Sequence, residues 1–240
     1  MHFPTLLTVA LGKARIAKIV RPARHGQWMT IVDPAELLHP GSVHPVSLEK
    51  IRDVISSSTE IVWIGGSEPL EHPGIAHLVR ALATSGHLIF LETNGILLRR
   101  RIHEFQPLPG LFLVVRLDPR QKREFELAIE GLRAARLSGF YTVIRSDIDE
   151  RSDVDEFPRL RNLLLEMDVD GWLVTSSSAN SAVVANAVEA RKLIPSAAWR
   201  RFSRHVEQEF LQRAKSEESR DARQVEKRPT EACEESVKVA

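Results

Sequence analysis

The order of apolar runs and amphipathic segments predicts an α/β chain built on a parallel sheet. Three observations carry that prediction. From Ser47 onward, short strand-like runs alternate with helix-like segments. The runs are nearly continuous in apolar residues, as expected of strands covered on both faces. The segments between them are too long for hairpin turns, so successive strands are joined by right-handed βαβ crossovers.

Two N-terminal segments, Leu6–Val9 and Ile16–Val20, are candidates for the first strand. Ser47 is placed to cap a helix with Leu48, Ile51, Val54 and Ile55 on one face. Strand Glu60–Ile64 follows. Helix Gly74–Ser85 carries Ile75, Leu78, Val79 and Leu82, and Gly86 stands where a C′ glycine belongs. Strand Leu88–Leu91 precedes a short helix, Ile96–Phe105. Beyond the Pro107–Gly110 loop comes strand Leu111–Leu117. Asp118-Pro119 then has the pattern of an N-cap with proline at the first helical position. That helix carries Phe125, Ala128, Ile129, Leu132 and Ala135 and stops before Gly139. Strand Phe140–Arg145, helix Val154–Glu166 and strand Gly171–Thr175 continue the alternation. Two helices end it, the second (Ser196–Ala214) with Trp199, Phe202, Val206 and Phe210 on one face. From Lys215 to Ala240 half of the residues are charged and none is aromatic, the composition of a solvated, disordered tail. The expected organisation is therefore one domain, residues 1–214, and a tail, residues 215–240.

A chain of 240 residues can bury one core of this type. Its 43% apolar and 27% charged content is ordinary for a globular protein. The 33 basic and 32 acidic residues nearly cancel, which gives no reason to expect nucleic acid or a membrane as partner. No apolar run approaches the length of a spanning helix, and no basic segment precedes the short apolar run at the N-terminus. The single cysteine, Cys233, excludes an intrachain disulfide framework, and the expected location is cytoplasmic.

The functional residues are expected at the C-terminal ends of the strands, where parallel α/β sheets bind ligands. Ile61-Val62-Trp63-Ile64 runs into Gly65-Gly66-Ser67-Glu68-Pro69. Glycines there let a ligand approach the backbone, and Glu68 is an acceptor for an ammonium group. A tight turn with Glu68 near the N-terminus of the next helix accounts for the same residues. One βα unit later, Leu88-Ile89-Phe90-Leu91 runs into Glu92-Thr93-Asn94-Gly95, with Thr93 and Asn94 as candidate ligand groups or as an Asn-Gly turn. Arg116 and Asp118 end the fourth strand, Arg145, Ser146 and Asp147 the fifth, and Ser176–Ser178 follow the sixth. No Walker-type loop, Gly-x-Gly-x-x-Gly, Gly-x-Ser-x-Gly or His-Glu-x-x-His motif is present. His25 and Met29 are metal-ligand types without a clear third partner.

The pair Gly65–Pro69 and Thr93-Asn94-Gly95, one βα unit apart, resembles the radical S-adenosylmethionine (radical SAM) superfamily. Its second strand ends in Gly-Gly-Glu-Pro and its third often in Thr-Asn-Gly. Here Gly66-Ser67-Glu68-Pro69 has serine where the family usually has its second glycine. The resemblance covers roughly residues 16–175. It implies a partial (βα)6 TIM barrel of parallel strands, here with an extra C-terminal helix. A doubly wound open sheet is the alternative. The resemblance also implies a binding site for S-adenosylmethionine. We assign to it Gly65, Gly66, Ser67, Glu68, Pro69, Thr93, Asn94, Arg116 and Arg145.

The family holds a [4Fe–4S] cluster on Cys-x3-Cys-x2-Cys in the loop after the first strand. Three thiolates bind three irons and the fourth stays open. Two registers carry that spacing here, Ala10/Ala14/Ala17 and His25/Met29/Val32, and the second follows a strand-like run. Neither has a thiol. The expected function is therefore that of a homologue without the cluster, a non-catalytic binding or regulatory protein. Its expected partner is a small molecule or a cluster-bearing relative. The alternatives are a radical SAM-type enzyme and an unrelated barrel enzyme using Glu68, Arg116 or Asp118 in acid–base chemistry.

Overall fold

A computed structural model describes residues 1–20, 28–37, 48–57 and 59–227. Its elements run α1 (Thr5–Val20), β1 (Met29–Val32), α2 (Pro34–Leu37), α3 (Leu48–Ile55), β2 (Ile61–Ile64), α4 (Ile75–Thr84), β3 (Leu88–Thr93) and α5 (Leu98–Arg101). They continue with β4 (Leu111–Arg116), α6 (Lys122–Leu137), β5 (Tyr141–Ile148), α7 (Phe157–Glu166), β6 (Gly171–Ser176), α8 (Ser181–Arg191) and α9 (Ala197–Lys227). Short 3-10 turns stand at Pro69–Glu71, Ile102–Glu104 and Val154–Glu156.

The six strands lie in sequential order and every neighbouring pair is parallel. A doubly wound sheet reverses its strand order at a switch point; this one does not. It curls into a half-barrel with the crossover helices outside, the fold class expected from the sequence.

Both candidate first strands, Leu6–Val9 and Ile16–Val20, lie inside helix α1, and the first strand is Met29–Val32. A run of apolar residues fits either state. What separates them is pairing, because Met29–Val32 has Ile61–Ile64 of β2 beside it in register. Asp118-Pro119 does not open α6, which starts four residues later at Lys122 with Gln121 as its cap residue. Asp118 instead closes a tight turn, accepting the Arg120 N–H at 3.1 Å. Helix α9 continues to Lys227, so the boundary expected at Lys215 falls inside it. Residues 228–240 of the expected tail, like Ser47 and His25, lie outside the described residues.

The strand register divides the core into two layers. Facing outward are Ile64, Leu91, Val115, Ile144 and Trp172, against the crossover helices; Phe157 of α7 stacks on Trp172 with centroids 6.3 Å apart. Facing inward is an aromatic row, Trp63, Phe90 and Phe112, with centroids 5.2 and 4.6 Å apart on adjacent strands. All three side chains are fully buried.

Helix α9 buries that inner row. Phe202 sits 5.4 Å from Phe90 and Phe210 meets Trp63 edge-on at 5.5 Å. Trp199 lies directly over Gly171, where a Cβ would fall 2.5 Å from Trp199 Cε2. The helix also satisfies the free edge of β6, whose backbone groups have no neighbouring strand. Ser203 Oγ accepts the Val174 N–H at 2.8 Å and donates to the Val174 carbonyl at 2.7 Å. Glu207 accepts the Ser176 N–H at 2.8 Å. At the other edge of the sheet, Arg213 donates to the Ile31 carbonyl at 3.0 Å. Helix α9 thus spans from β6 to β1 and closes the open side of the half-barrel.

Candidate functional site at the rim of the half-barrel

Three loops leave β1, β2 and β3 at the same end of the sheet and are lashed together by carboxylates. The first is Asp33, directly after β1. It accepts the Ser67 hydroxyl at 2.5 Å, the Ala35 N–H at 2.8 Å and the Ser67 N–H at 3.3 Å. Burial alone pushes the Asp33 carboxyl up, but these hydrogen bonds and the Arg213 charge hold it below the usual carboxylate range. Gly66 takes φ +118°, and a Cβ there would come within 2.9 Å of Asp33 Cγ. Gly65 has the same constraint, since its Cβ would lie 2.9 Å from Glu92 Oε2 and 3.1 Å from Trp63 Nε1. Both glycines admit this chain's own side chains against the loop.

Glu68 is the second carboxylate. It caps the 3-10 turn at Pro69 by accepting the Leu70 N–H at 3.1 Å. It then crosses to the next loop, accepting the Thr93 hydroxyl at 2.6 Å and the Asn94 N–H at 2.8 Å. Both of its oxygens are therefore engaged within the chain. Thr93 in turn accepts the Gly95 N–H at 3.0 Å, and Asn94 Oδ1 accepts the Ile96 N–H at 3.0 Å. Gly95, at φ +79°, brings the turn against Val115 and Ala128. The two motifs singled out in the sequence are thus neighbours, joined through Glu68.

A third carboxylate, Glu92, lies beneath them on the inner face and is 4% exposed. It accepts the Trp63 Nε1–H at 2.6 Å and both of its oxygens stand 3.0 Å from Arg145 Nη1. Arg116 approaches it more loosely, with Nε 3.4 Å from Oε1. Arg145 lies within β5 rather than at its end, and Asp147 also pairs with it at 2.8 Å. Its guanidinium stacks 4.2 Å from the Phe210 ring of α9. Burial disfavours the Arg145 charge, but Glu92 and Asp147 more than offset this and raise its pKa. Thr175 completes the cluster by donating to Asp147.

Beside this cluster, between the ends of β4 and β5 and the starts of α6 and α7, lies a cavity of about 380 Å³ lined by Asn94, Arg116, Asp118, Asp147 and Phe157 among others. Arg120 spans its mouth, donating to Asp118 at 2.8 Å and to both Asp149 oxygens at 3.0 Å. The Arg120 hydrogen bonds hold the Asp118 carboxyl below its ordinary range. The Ser152 hydroxyl, then Arg120, does the same for Asp149. Ser177 reaches this cavity, whereas Ser176 donates to Glu207 and Ser178 to Glu150.

Of the expected site residues, Asn94, Arg116 and Arg145 line the cavity; Gly65, Gly66, Ser67, Glu68, Pro69 and Thr93 form the lashed loops next to it. The register Ala10/Ala14/Ala17 is helical, and Met29 and Val32 are buried in β1, so neither register is a loop after a strand. The loop after the first strand begins at Asp33. Sequence reasoning passed over Asp33, Glu92 and Arg120 as site residues. Glu92 carried a usable signal, a carboxylate two residues from Phe90 in an otherwise apolar strand, which demands a buried cation. Asp33 and Arg120 carried none.

No protein-family model matches the sequence, and no curated protein matches it. Solved structures do. Streptococcus suis SuiB bound to S-adenosylmethionine is 15% identical with TM-score 0.55, over 76% of this chain and 50% of that one. SuiB bound to precursor peptide SuiA is 15% identical with TM-score 0.53, over 70% and 44%. Archaeal TYW1 aligns at 17% identity and TM-score 0.44, over 80% and 64%. The chain spans between two fifths and two thirds of the length of these proteins, and the likeness is one of fold. The chain has the partial-barrel fold of radical SAM enzymes.

Proposed function

We propose that this chain is a cluster-less homologue of radical SAM enzymes, a non-catalytic binding or regulatory protein whose ligand site is the rim cavity. One observation carries the proposal. The loop after β1 begins at Asp33, and the sequence has no cysteine from there to α3 or anywhere before Cys233. A [4Fe–4S] cluster with one open iron needs three thiolates close together. The residues present do not fit it. Asp33, the first residue of that loop, is instead committed to Ser67 and Ala35.

Two further features support a binding role. Helix α9 covers the inner face of the sheet with Trp199, Phe202 and Phe210, so the rim is the accessible surface at the strand ends. The rim cavity, at about 380 Å³, falls in the range of small-molecule sites. S-adenosylmethionine is the ligand suggested by the SuiB complex. Without an open iron to chelate its amino and carboxylate groups, its binding is expected nearer millimolar than micromolar, a loss of about 4 kcal/mol. A cluster-bearing relative is the expected protein partner.

Anaerobic reconstitution with iron and sulfide, followed by desalting and metal analysis, tests the proposal. The expected result is sub-stoichiometric iron and no charge-transfer absorption, with weak S-adenosylmethionine binding by calorimetry. Four irons per chain with matching sulfide overturns it.

A further inference from the structure

We propose that helix α1 docks the protein on an anionic lipid surface. The helix is apolar on two opposite sides. Leu7 and Ala10 face the core and are 0% and 4% exposed. At 100° per residue, Val9 and Ile16 lie together on the opposite side with Gly12 at their flank, and Lys13 falls between Val9 and Leu6. Leu6, Val9 and Ile16 are 48%, 51% and 63% exposed. Arg15 is exposed as well. The result is an exposed apolar ridge with Lys13 within it and Arg15 on its flank.

Charge identifies the occupant. The whole chain is balanced at +1, but its charges are segregated. Asp33 is the first acidic residue, and Lys13, Arg15, Lys18, Arg21 and Arg24 precede it. Lys13 pairs with Glu60 at 3.5 Å, and its own side chain stays 62% exposed. A second copy of the chain would bring this cationic helix against its own like charges. An anionic bilayer offers both an apolar boundary for Leu6, Val9 and Ile16 and a negative surface for Lys13 and Arg15. Among the described residues no helix is long and apolar enough to cross a membrane, so the contact is one of surface.

The fold positions this face well. Lys13 pairs with Glu60, immediately before β2, and Phe3 packs 4.9 Å from Trp199, which covers Gly171 at the start of β6. Helix α1 therefore lies at the N-terminal end of the sheet. A protein seated on lipid through α1 keeps the rim cavity facing away from the bilayer.

Flotation of the full chain with vesicles tests the proposal, comparing phosphatidylcholine alone with a mixture rich in phosphatidylserine. Binding is expected only to the anionic vesicles and is weakened by salt. Each cation near such a surface strengthens partitioning about fivefold, so Lys13→Gln with Arg15→Gln is expected to weaken it about 25-fold. Val9→Asp with Ile16→Asp is expected to abolish it. Because these side chains are exposed, the urea midpoint stays unchanged, which separates lost docking from lost folding. Two results overturn the proposal: no binding to anionic vesicles, or binding that survives Val9→Asp/Ile16→Asp. A dimer in light scattering that the same pair dissolves assigns the ridge to a second copy and also overturns it.

Discussion

Replacing Gly171 by alanine probes whether α9 is an integral wall of the half-barrel. Gly171 starts β6 on the inner face, and its missing Cβ is the space that Trp199 occupies. An alanine Cβ would stand 2.5 Å from Trp199 Cε2 and 2.7 Å from Cη2, well inside van der Waals contact. The indole cannot simply rotate away. It is fully buried, its Nε1–H donates to the His2 carbonyl at 3.4 Å, and Phe3 and Phe202 pack against it. Forcing a methyl group into a close-packed site costs about 1–3 kcal/mol. Removing a glycine from a strand recovers about 0.5–1 kcal/mol of chain entropy. The net expectation is a loss of about 1–2 kcal/mol, seen as a fall of roughly 0.5–1 M in the urea midpoint at an m-value of about 2 kcal/mol/M. Far-UV circular dichroism is the probe, since Trp199 is itself varied in the second arm. Trp199→Leu alone destabilises by leaving a cavity, about 2–4 kcal/mol. In that background the alanine methyl has room, so Gly171→Ala is expected to be neutral or stabilising, and the double variant is more stable than the sum of the two losses. A cost for Gly171→Ala that is absent, or the same in both backgrounds, would refute the seating of α9 on β6.

Two further expectations concern the carboxylates. Arg145→Met leaves Glu92 buried with only Trp63 and the looser Arg116 as partners, and is expected to cost about 3–5 kcal/mol by urea unfolding; adding Glu92→Gln is expected to restore much of that loss, and a Glu92→Gln change that adds to it instead contradicts the pairing. Asp33 has a folded pKa below its ordinary value of 3.8, so its stabilisation is present above about pH 4 and is lost as pH falls through the lowered value. Asp33→Asn is therefore expected to lower stability at pH 7 and to reduce the fall in urea midpoint on acidification below pH 4, and an unchanged acid slope contradicts the latch on Ser67.

The sequence alone determined strands β2 to β6 and their crossover helices, because each rests on local chemistry. Ile61–Ile64 and Leu111–Arg116 are apolar runs that a doubly covered strand requires. Gly86 and Gly139 take the positive φ that ends a helix, at +89° and +82°. It also placed Gly65–Pro69 and Thr93–Gly95 at one end of the sheet, since parallel βα units leave every second loop on the same side. The absence of thiols before Cys233 is likewise a fact of sequence. The first strand was decided by pairing. Leu6–Val9 is more apolar than Met29–Val32, but only the latter lies beside β2. Asp118 has the pattern of a helix cap, yet its carboxylate is taken by Arg120, which is held in turn by Asp149 from the following loop. Glu92 and Arg145 are 53 residues apart, and no local pattern pairs them. The same holds for the inner face. The spacing of Trp199, Phe202, Val206 and Phe210 announces a buried stripe, whereas which surface it covers depends on the curl of the sheet and on a glycine at the start of β6. Local sequence sets what each segment can bury; only the closed geometry sets what it is buried against.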